Sequence, residues 1–295
     1  MTSTPQAGRN SITEIEVDLL LEAVYRARGV DFRDYARASL RRRIQNQMRV
    51  EKVDTITRLL DKILHDGSCM ERFVTGLSVT VSAMFRDPGF FRALREQVFP
   101  VLRTRPYIRI WQAGCSMGEE IYSLAIMLAE EGLIDRCRIY ATDINEKVLE
   151  RAREGIYPLE LMQKYTLNYI QAGGTRSFSE YYTAAYDSAI FSPALHEQVV
   201  FARHDLVTDS PFNEFNLILC RNVLIYFNRR LQDRVHHVLY DSLANFGVLG
   251  LGAKETLLLT PLQDRYEELN APHRLYRRVV RRSRCEDRVD CGGVT

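Results

Sequence analysis

The stretch WQAGCSMGEE, Trp111 to Glu120, sets Gly114 and Gly118 four residues apart and follows them with two adjacent carboxylates, Glu119 and Glu120. Apolar YIRI leads in and IYSLAIML leads out, the strand, turn and helix grammar of a nucleotide cradle. Such cradles usually hold phosphate, in a G-x-G-x-x-G turn or in one ending in Lys-Ser/Thr. Here the glycines are spaced G-x-x-x-G, no Lys-Ser/Thr follows, and carboxylates do. A phosphate beside an unpaired carboxylate in a half-buried site would be repelled. A nucleoside with a cationic end suits these residues better. S-adenosylmethionine has that form, with a sulfonium, an ammonium and an adenosine but no phosphate.

A second acid supports this. IYATDIN ends in Asp143, more than twenty residues past the glycine turn, where an acidic side chain accepts hydrogen bonds from a ribose diol. Each signal alone has a plainer reading: the glycines as a simple turn, Asp143 as a cap of the helix NEKVLERA. Together, in consecutive strand–helix units without a phosphate loop, they favour a methyltransferase over a dehydrogenase. LILCRNVLIYF puts Arg221-Asn222 where a parallel strand would end, and FARHDL does the same for Asp205. Ligands of open α/β sheets sit outside those carboxyl ends, although helix capping by Asn222 explains the first equally well.

The elements that must position these residues follow from periodicity. YIRIWQAG, RCRIYATDI, QVVFARHDL and FNLILCRNV are strand-like, and helical stretches fall at 123–132, 146–154 and 229–245. That alternation is the pattern of a doubly wound, mostly parallel sheet. Residues 158–198, rich in glycine and aromatics, interrupt it as a small inserted, β-rich subdomain, and GVLGLGAKETL…HRLYRRVV reads as two further strands. Before the α/β part, residues 13–85 show helical periodicity only. The first helix opens on Ser11 and Glu14 as a capping box. In SAMFRDPGFF, Asp87 fits an N-cap and Pro88 the first helical position, which leaves Phe85 and Arg86 on the preceding loop. The ends, 1–12 and 282–295, are expected to be loose tails.

Composition narrows the class. The chain has 295 residues, 46% hydrophobic and 26% charged, enough for a full α/β domain and a smaller partner. A net charge of +2 gives no reason to expect nucleic acid or an anionic membrane as partner. The six cysteines form no C-x-x-C pair and no zinc spacing, so no metal is expected and reduced thiols in the cytoplasm are. No apolar run is long enough to span a bilayer.

TVSAMFRDPGFF, IWQAGCSMGEEIYSLA, YATDINEKVLERAREGIY, LILCRNVLIYF and GLGAKE resemble, in order and spacing, the motifs of the chemotaxis receptor glutamate methyltransferases, the CheR family. YARASLRRRIQNQM is similar to the basic helix of that family's N-terminal helical domain. The resemblance spans about Ile15 to Val280. It implies a Rossmann-like methyltransferase domain at 86–281, preceded by an all-helical domain, and S-adenosylmethionine as cofactor with S-adenosylhomocysteine as product. It assigns cofactor contacts to Thr80, Ser82, Arg86, Gly114, Glu120 (methionine amino group), Asp143 (ribose), Asp205-Leu206 (adenine) and Arg221-Asn222. It also sets Arg86 and Tyr226 at the reacting carboxylate. Thr80 and Ser82 depart from the family's Asn and Thr, and Met117 stands where a small hydroxyl residue is common.

The implied reaction methylates glutamate side chains in the cytoplasmic helical domain of methyl-accepting chemoreceptors. A glutamate is already ionised at neutral pH, so no general base is required, and the histidines, His236-His237 included, are read as incidental. Arg37, Arg41 and Arg42 would dock the acidic receptor bundle, with the enzyme acting as a monomer and without inserting into the membrane. The alternative is a non-catalytic, cofactor-binding partner in a chemosensory array. A nucleic-acid methyltransferase is disfavoured by the absence of an N-P-P-Y-like motif and of a Pro-Cys loop.

Overall fold

The structure is a computed structural model that describes residues 12–77 and 82–279. Ser11 of the expected capping box, Thr80 and the expected tails (Ile12 apart) lie outside the described residues. Helices α1 (Ile12–Arg28), α2 (Arg37–Glu51), α3 (Ile56–His65) and α4 (Gly67–Leu77) form the helical part. Their apolar stripes close one core, with Val17, Leu20, Leu21 and Val24 of α1 against Leu40 and Ile44 of α2, Leu59 and Ile63 of α3, and Phe73 of α4.

The chain then enters α5 (Pro88–Ala93), a π-helical turn at Leu94–Val98 and α6 (Phe99–Arg103). Pro100 lacks the N–H that an α-helix would need there, and its ring crowds the carbonyl of the preceding turn, so the register widens. Asp87 stands at the expected N-cap position with Pro88 first in the helix, but without the expected cap. Its backbone is left-handed at φ +59° and its side chain makes no capping bond.

The α/β part runs β1 (Ile108–Ala113), α7 (Glu119–Glu130), β2 (Cys137–Asp143), α8 (Glu146–Glu154), β3 (Ile156–Pro158), α9 (Met162–Gln171), β4 (Tyr182–Ala185) and β5 (Ser188–Phe191). It continues with β6 (Val199–Arg203), β7 (Phe215–Cys220), α10 (Arg229–Asp241), β8 (Leu243–Leu251), β9 (Tyr266–Asn270) and β10 (Leu275–Arg278). Among the described residues the large sheet has the order β6-β2-β1-β7-β8-β10-β9, parallel from β6 to β8, with β10 and β9 antiparallel. The doubly wound, mostly parallel fold read from the sequence is therefore present. Two details differ. Helix α7 starts at Glu119 rather than 123, so both glutamates lie in its first turn, and the C-terminal part holds three strands rather than two.

Strand alternation divides the core. Ile108 and Ile110 of β1 face one side, and Trp111 and Ala113 face the other. Trp111, the chain's single tryptophan, is fully buried; its Nε1 donates to Thr142 Oγ1 at 2.8 Å and its ring stands edge-on to His204 at 5.2 Å. The insert carries the small antiparallel sheet β3-β5-β4 and also the helix α9. Its Tyr165, Tyr169, Phe178 and Phe191 join the core beneath the main sheet, so the insert is packed onto the domain.

Candidate active site

A cleft opens at the carboxyl ends of β1, β2, β6 and β7, where strand order reverses between β2-β1 and β7, the place where α/β sheets bind ligands. Its space is about 920 Å³ when the open solvent at the mouth is included. It is lined by Ser82, Arg86, Gly114, Glu120, Asp143, Asp205, Leu206, Arg221, Asn222 and Tyr226. These residues, spread along the sequence from Ser82 to Tyr226, are gathered here by the topology.

The glycine turn is built for close approach. Gly114 has φ +72°, and a Cβ there would come within 2.6 Å of Val223 Cγ2. Gly118 has φ +91°, and a Cβ would meet Ala152 Cβ at 2.9 Å. Both positions exclude other residues through conformation and space together. Between them Ser116 N–H donates to Asp143 Oδ2 at 3.0 Å, while Asn145 N–H donates to Oδ1 at 3.0 Å. Burial pushes the Asp143 carboxyl up and these amides pull it back. Asp143 is not the cap of the following helix; the Asn145 side chain accepts from Lys147 N–H instead. With three of its roughly four acceptor sites taken by the amides of Ser116, Ile144 and Asn145, Asp143 keeps an acceptor site for a further donor, such as a diol.

The two glutamates differ in a way the sequence did not reveal. Glu120, buried, accepts from Arg221 Nη1 at 2.6 Å and from Gln112 Nε2 at 3.0 Å. Glu119, also buried, has its carboxyl next to the Ser82 hydroxyl, and its Oε2 has no partner among the described residues. Burial raises its pKa. The carboxylate without a cation is thus Glu119, not Glu120.

Arg221 joins the pieces. Its side chain is 1% exposed, and Nη2 donates to Asp87 Oδ2 at 2.8 Å and to the Arg86 carbonyl at 3.2 Å. The guanidinium lies 3.9 Å above the Phe90 ring. Arg86 sits between two left-handed residues, Phe85 at φ +50° and Asp87 at φ +59°. Such backbone persists only when neighbours hold it. Here Phe85 N–H donates to Ser123 Oγ at 2.8 Å, its ring packs edge-on to Tyr169 at 5.3 Å, and Asn168 of the insert donates to the Met84 carbonyl at 3.0 Å.

Asp205 is buried and forms a tight turn, with Oδ1 accepting from Val207 N–H at 2.8 Å; burial raises its pKa. Asn222 is left-handed at φ +59° and its N–H goes to Glu255 Oε2 at 2.9 Å. Glu255 also accepts from the N–H groups of Val223, Leu224, Ile225 and Gly252. A carboxylate thus ends the strands β7 and β8 and shapes the loop that lines the cleft.

Several residues in or behind the cleft wall were not foreseen, among them Tyr35, Arg43, His204 and Glu255. Tyr35 and Arg43 come from the helical part, whose segment Asp34–Ala36 is stitched to Tyr226–Asn228 by Ala36 N–H to the Tyr226 carbonyl and Asn228 N–H to the Asp34 carbonyl, both 2.8 Å. Arg43 stacks 4.7 Å over the Tyr226 ring, and its helix phase beside Leu40 and Ile44 was the available signal. His204, grouped with the incidental histidines, lines the cleft beside Asp205, and its Nδ1 has no partner among the described residues. Glu255 was quoted in a motif but given no role. The expected docking residues stand outside the cleft. Arg37 pairs with Asp18 at 2.5 Å and Arg41 with Glu14, while Arg42 is exposed and turned about 100° from Arg41.

A nucleoside with an ammonium end fits these groups. Glycines open the cradle, Asp143 offers acceptors to a diol, and Gln112 Oε1, Ser116 Oγ and Arg221 Nε are buried without partners among the described residues.

Comparison with known proteins agrees. Residues 15–78 match the family described as "CheR methyltransferase, all-alpha domain", and residues 80–274 match "CheR methyltransferase, SAM binding domain". Cher3 of Pseudomonas putida, assigned by name to the methyltransferases, is 49% identical over 90% of this chain and 97% of its own. The chemotaxis protein methyltransferase of Listeria innocua is 32% identical over 84% of this chain and 93% of its own; that of Escherichia coli is 26% identical over 84% and 86%. Among solved structures, the N-methyltransferase NodS of Bradyrhizobium japonicum with bound S-adenosylhomocysteine is similar at 15% identity and a TM-score of 0.35, over 64% of this chain and 87% of that one.

Proposed function

The chain belongs to the CheR methyltransferase family, with S-adenosylmethionine as cofactor, and from that premise we propose that it methylates glutamate side chains of chemoreceptors, giving glutamyl 5-O-methyl esters. The observation that carries this reading is the division of the cleft. Its buried part holds the acids Glu120 and Asp205, while its partly exposed part holds Arg86, Arg43 and Tyr226. The acidic end suits a cation, and the basic mouth suits an incoming carboxylate. A general base is not needed, because the nucleophile arrives ionised.

The cofactor supplies an electrophilic methyl group. The chain's own part is alignment. Arg86 holds both oxygens of the substrate carboxylate by forked hydrogen bonds, so that the remaining lone pair of one oxygen faces the methyl carbon. Glu120, Asp143 and Asp205 would hold the cofactor, which would supply its methyl group to the glutamate oxygen and keep the electron pair of the broken carbon–sulfur bond, so that no residue of the chain would need to take up a proton. Tyr226, braced by Arg43, closes the side of the cleft toward the helical part and excludes water.

Incubation with methyl-labelled cofactor and receptor domains tests this. Label released by mild alkali is expected. Stable label would point to another acceptor, and binding without transfer to a non-catalytic partner. Arg86→Ala should lose transfer while S-adenosylhomocysteine affinity changes little; unchanged turnover would remove Arg86 from the reaction.

A further inference from the structure

We propose that Asp87 is a positioning residue for the cofactor's ammonium: it holds the far side of Arg221, so that Arg221 does not cancel the charge of Glu120. The proposal rests on reading Glu120 as the carboxylate that receives that ammonium.

Asp87 stands where an acidic N-cap would, yet its side chain makes no capping bond and its backbone is left-handed at φ +59°. A residue that forgoes its local bond and accepts backbone strain is held by something outside its own helix. That partner is Arg221, whose Nη2 is 2.8 Å from Asp87 Oδ2 while Nη1 is 2.6 Å from Glu120 Oε2. Phe90 covers the guanidinium face at 3.9 Å, which leaves its edge for the two carboxylates.

Charge counting gives the consequence. Two carboxylates around one guanidinium leave this cluster one negative charge, and one added ammonium brings it to zero. With Asp87 neutral, Glu120 and Arg221 cancel each other. An entering ammonium would then give up hydration without a net charge to meet it. Arg221 alone would therefore weaken the site that its pairing with Asp87 preserves.

The test is titration calorimetry of wild type, Asp87→Asn and Asp87→Glu with S-adenosylhomocysteine and with its analogue lacking the amino group. Asp87→Asn should weaken S-adenosylhomocysteine binding roughly tenfold, the order for one unit charge about 6 Å away when half-exposure raises the effective dielectric to about 40. It should leave the deaminated analogue within about twofold of wild type, and Asp87→Glu should restore most of the loss. Equal weakening of both ligands would show a merely structural role and overturn the proposal, as would unchanged binding of both. Wild type that binds neither ligand would overturn the reading of the site itself, which separates the two failures. The Asp87 side chain is 45% exposed, so an unchanged unfolding midpoint in Asp87→Asn confirms that any loss is local.

Discussion

Glu255→Gln removes a charge from a nest of five backbone donors. Oε1 accepts from Val223, Leu224 and Ile225 at 2.8, 2.7 and 3.4 Å, and Oε2 from Asn222 and Gly252 at 2.9 and 2.6 Å. An amide keeps one oxygen. Whichever way it turns, its NH₂ faces at least two N–H groups that then have no acceptor. At about 1–3 kcal/mol for each stranded buried donor, the cost is about 2–6 kcal/mol. An opposing term exists, since burial pushes the Glu255 pKa up and an amide avoids that desolvation. We expect the stranded donors to win, by about 3 kcal/mol. The apparent unfolding midpoint should then fall by roughly 6–12 °C. Because Asn222 and Val223 line the cleft, S-adenosylhomocysteine affinity should fall with it. Thermal unfolding by circular dichroism and calorimetric titration measure the two effects. A midpoint that stays within about 2 °C or rises would refute the reasoning, because desolvation would then outweigh the nest.

Three further outcomes are expected. Glu119 has a raised folded pKa through burial, so it binds more protons folded than unfolded, and its effect on stability becomes more unfavourable as pH climbs from its ordinary value near 4.5 through the raised one. Glu119→Gln should therefore be more stable than wild type at pH 8 and should flatten that decline, as pH-dependent urea unfolding would show. Gly114→Ala must adopt φ +72° with its Cβ 2.6 Å from Val223, so cofactor binding should drop by more than tenfold in the same calorimetric assay. Arg42→Glu should raise the apparent KM for receptor more than Arg37→Ala does, because the Arg37 charge is already matched by Asp18; the opposite order in steady-state kinetics would count against docking through Arg42.

What could be read in advance depended on distance along the chain. The parallel strands were legible because each is an apolar run ending in a polar turn, and the glycine turn and Asp143 because their chemistry lies within two neighbouring units. Pairings between distant segments were not. Glu120 and Arg221 are 101 positions apart, and neither shows in its own neighbourhood that it has a partner. Asp87 holds the N-cap position that its local context indicates, but the partner that takes its carboxylate, Arg221, lies too far along the chain to be seen there. Arg37 and Arg41 looked open because their counterparts, Asp18 and Glu14, sit on another helix. Each of those pairs is half-exposed and contributes about 0–1 kcal/mol, too little to impose a visible pattern.

The burial of Trp111 has a practical consequence. With one indole in the chain, emission excited beyond the tyrosine band comes from a single known place, edge-on to His204 at the cleft wall. A ligand that touches His204 or Asp205 changes the field and the quenching at that indole, with no dye and no second indole to dilute the signal. The same spectrum follows unfolding through the red shift of an indole reaching water. Occupancy of the cleft and integrity of the sheet can thus be read from one unlabelled sample.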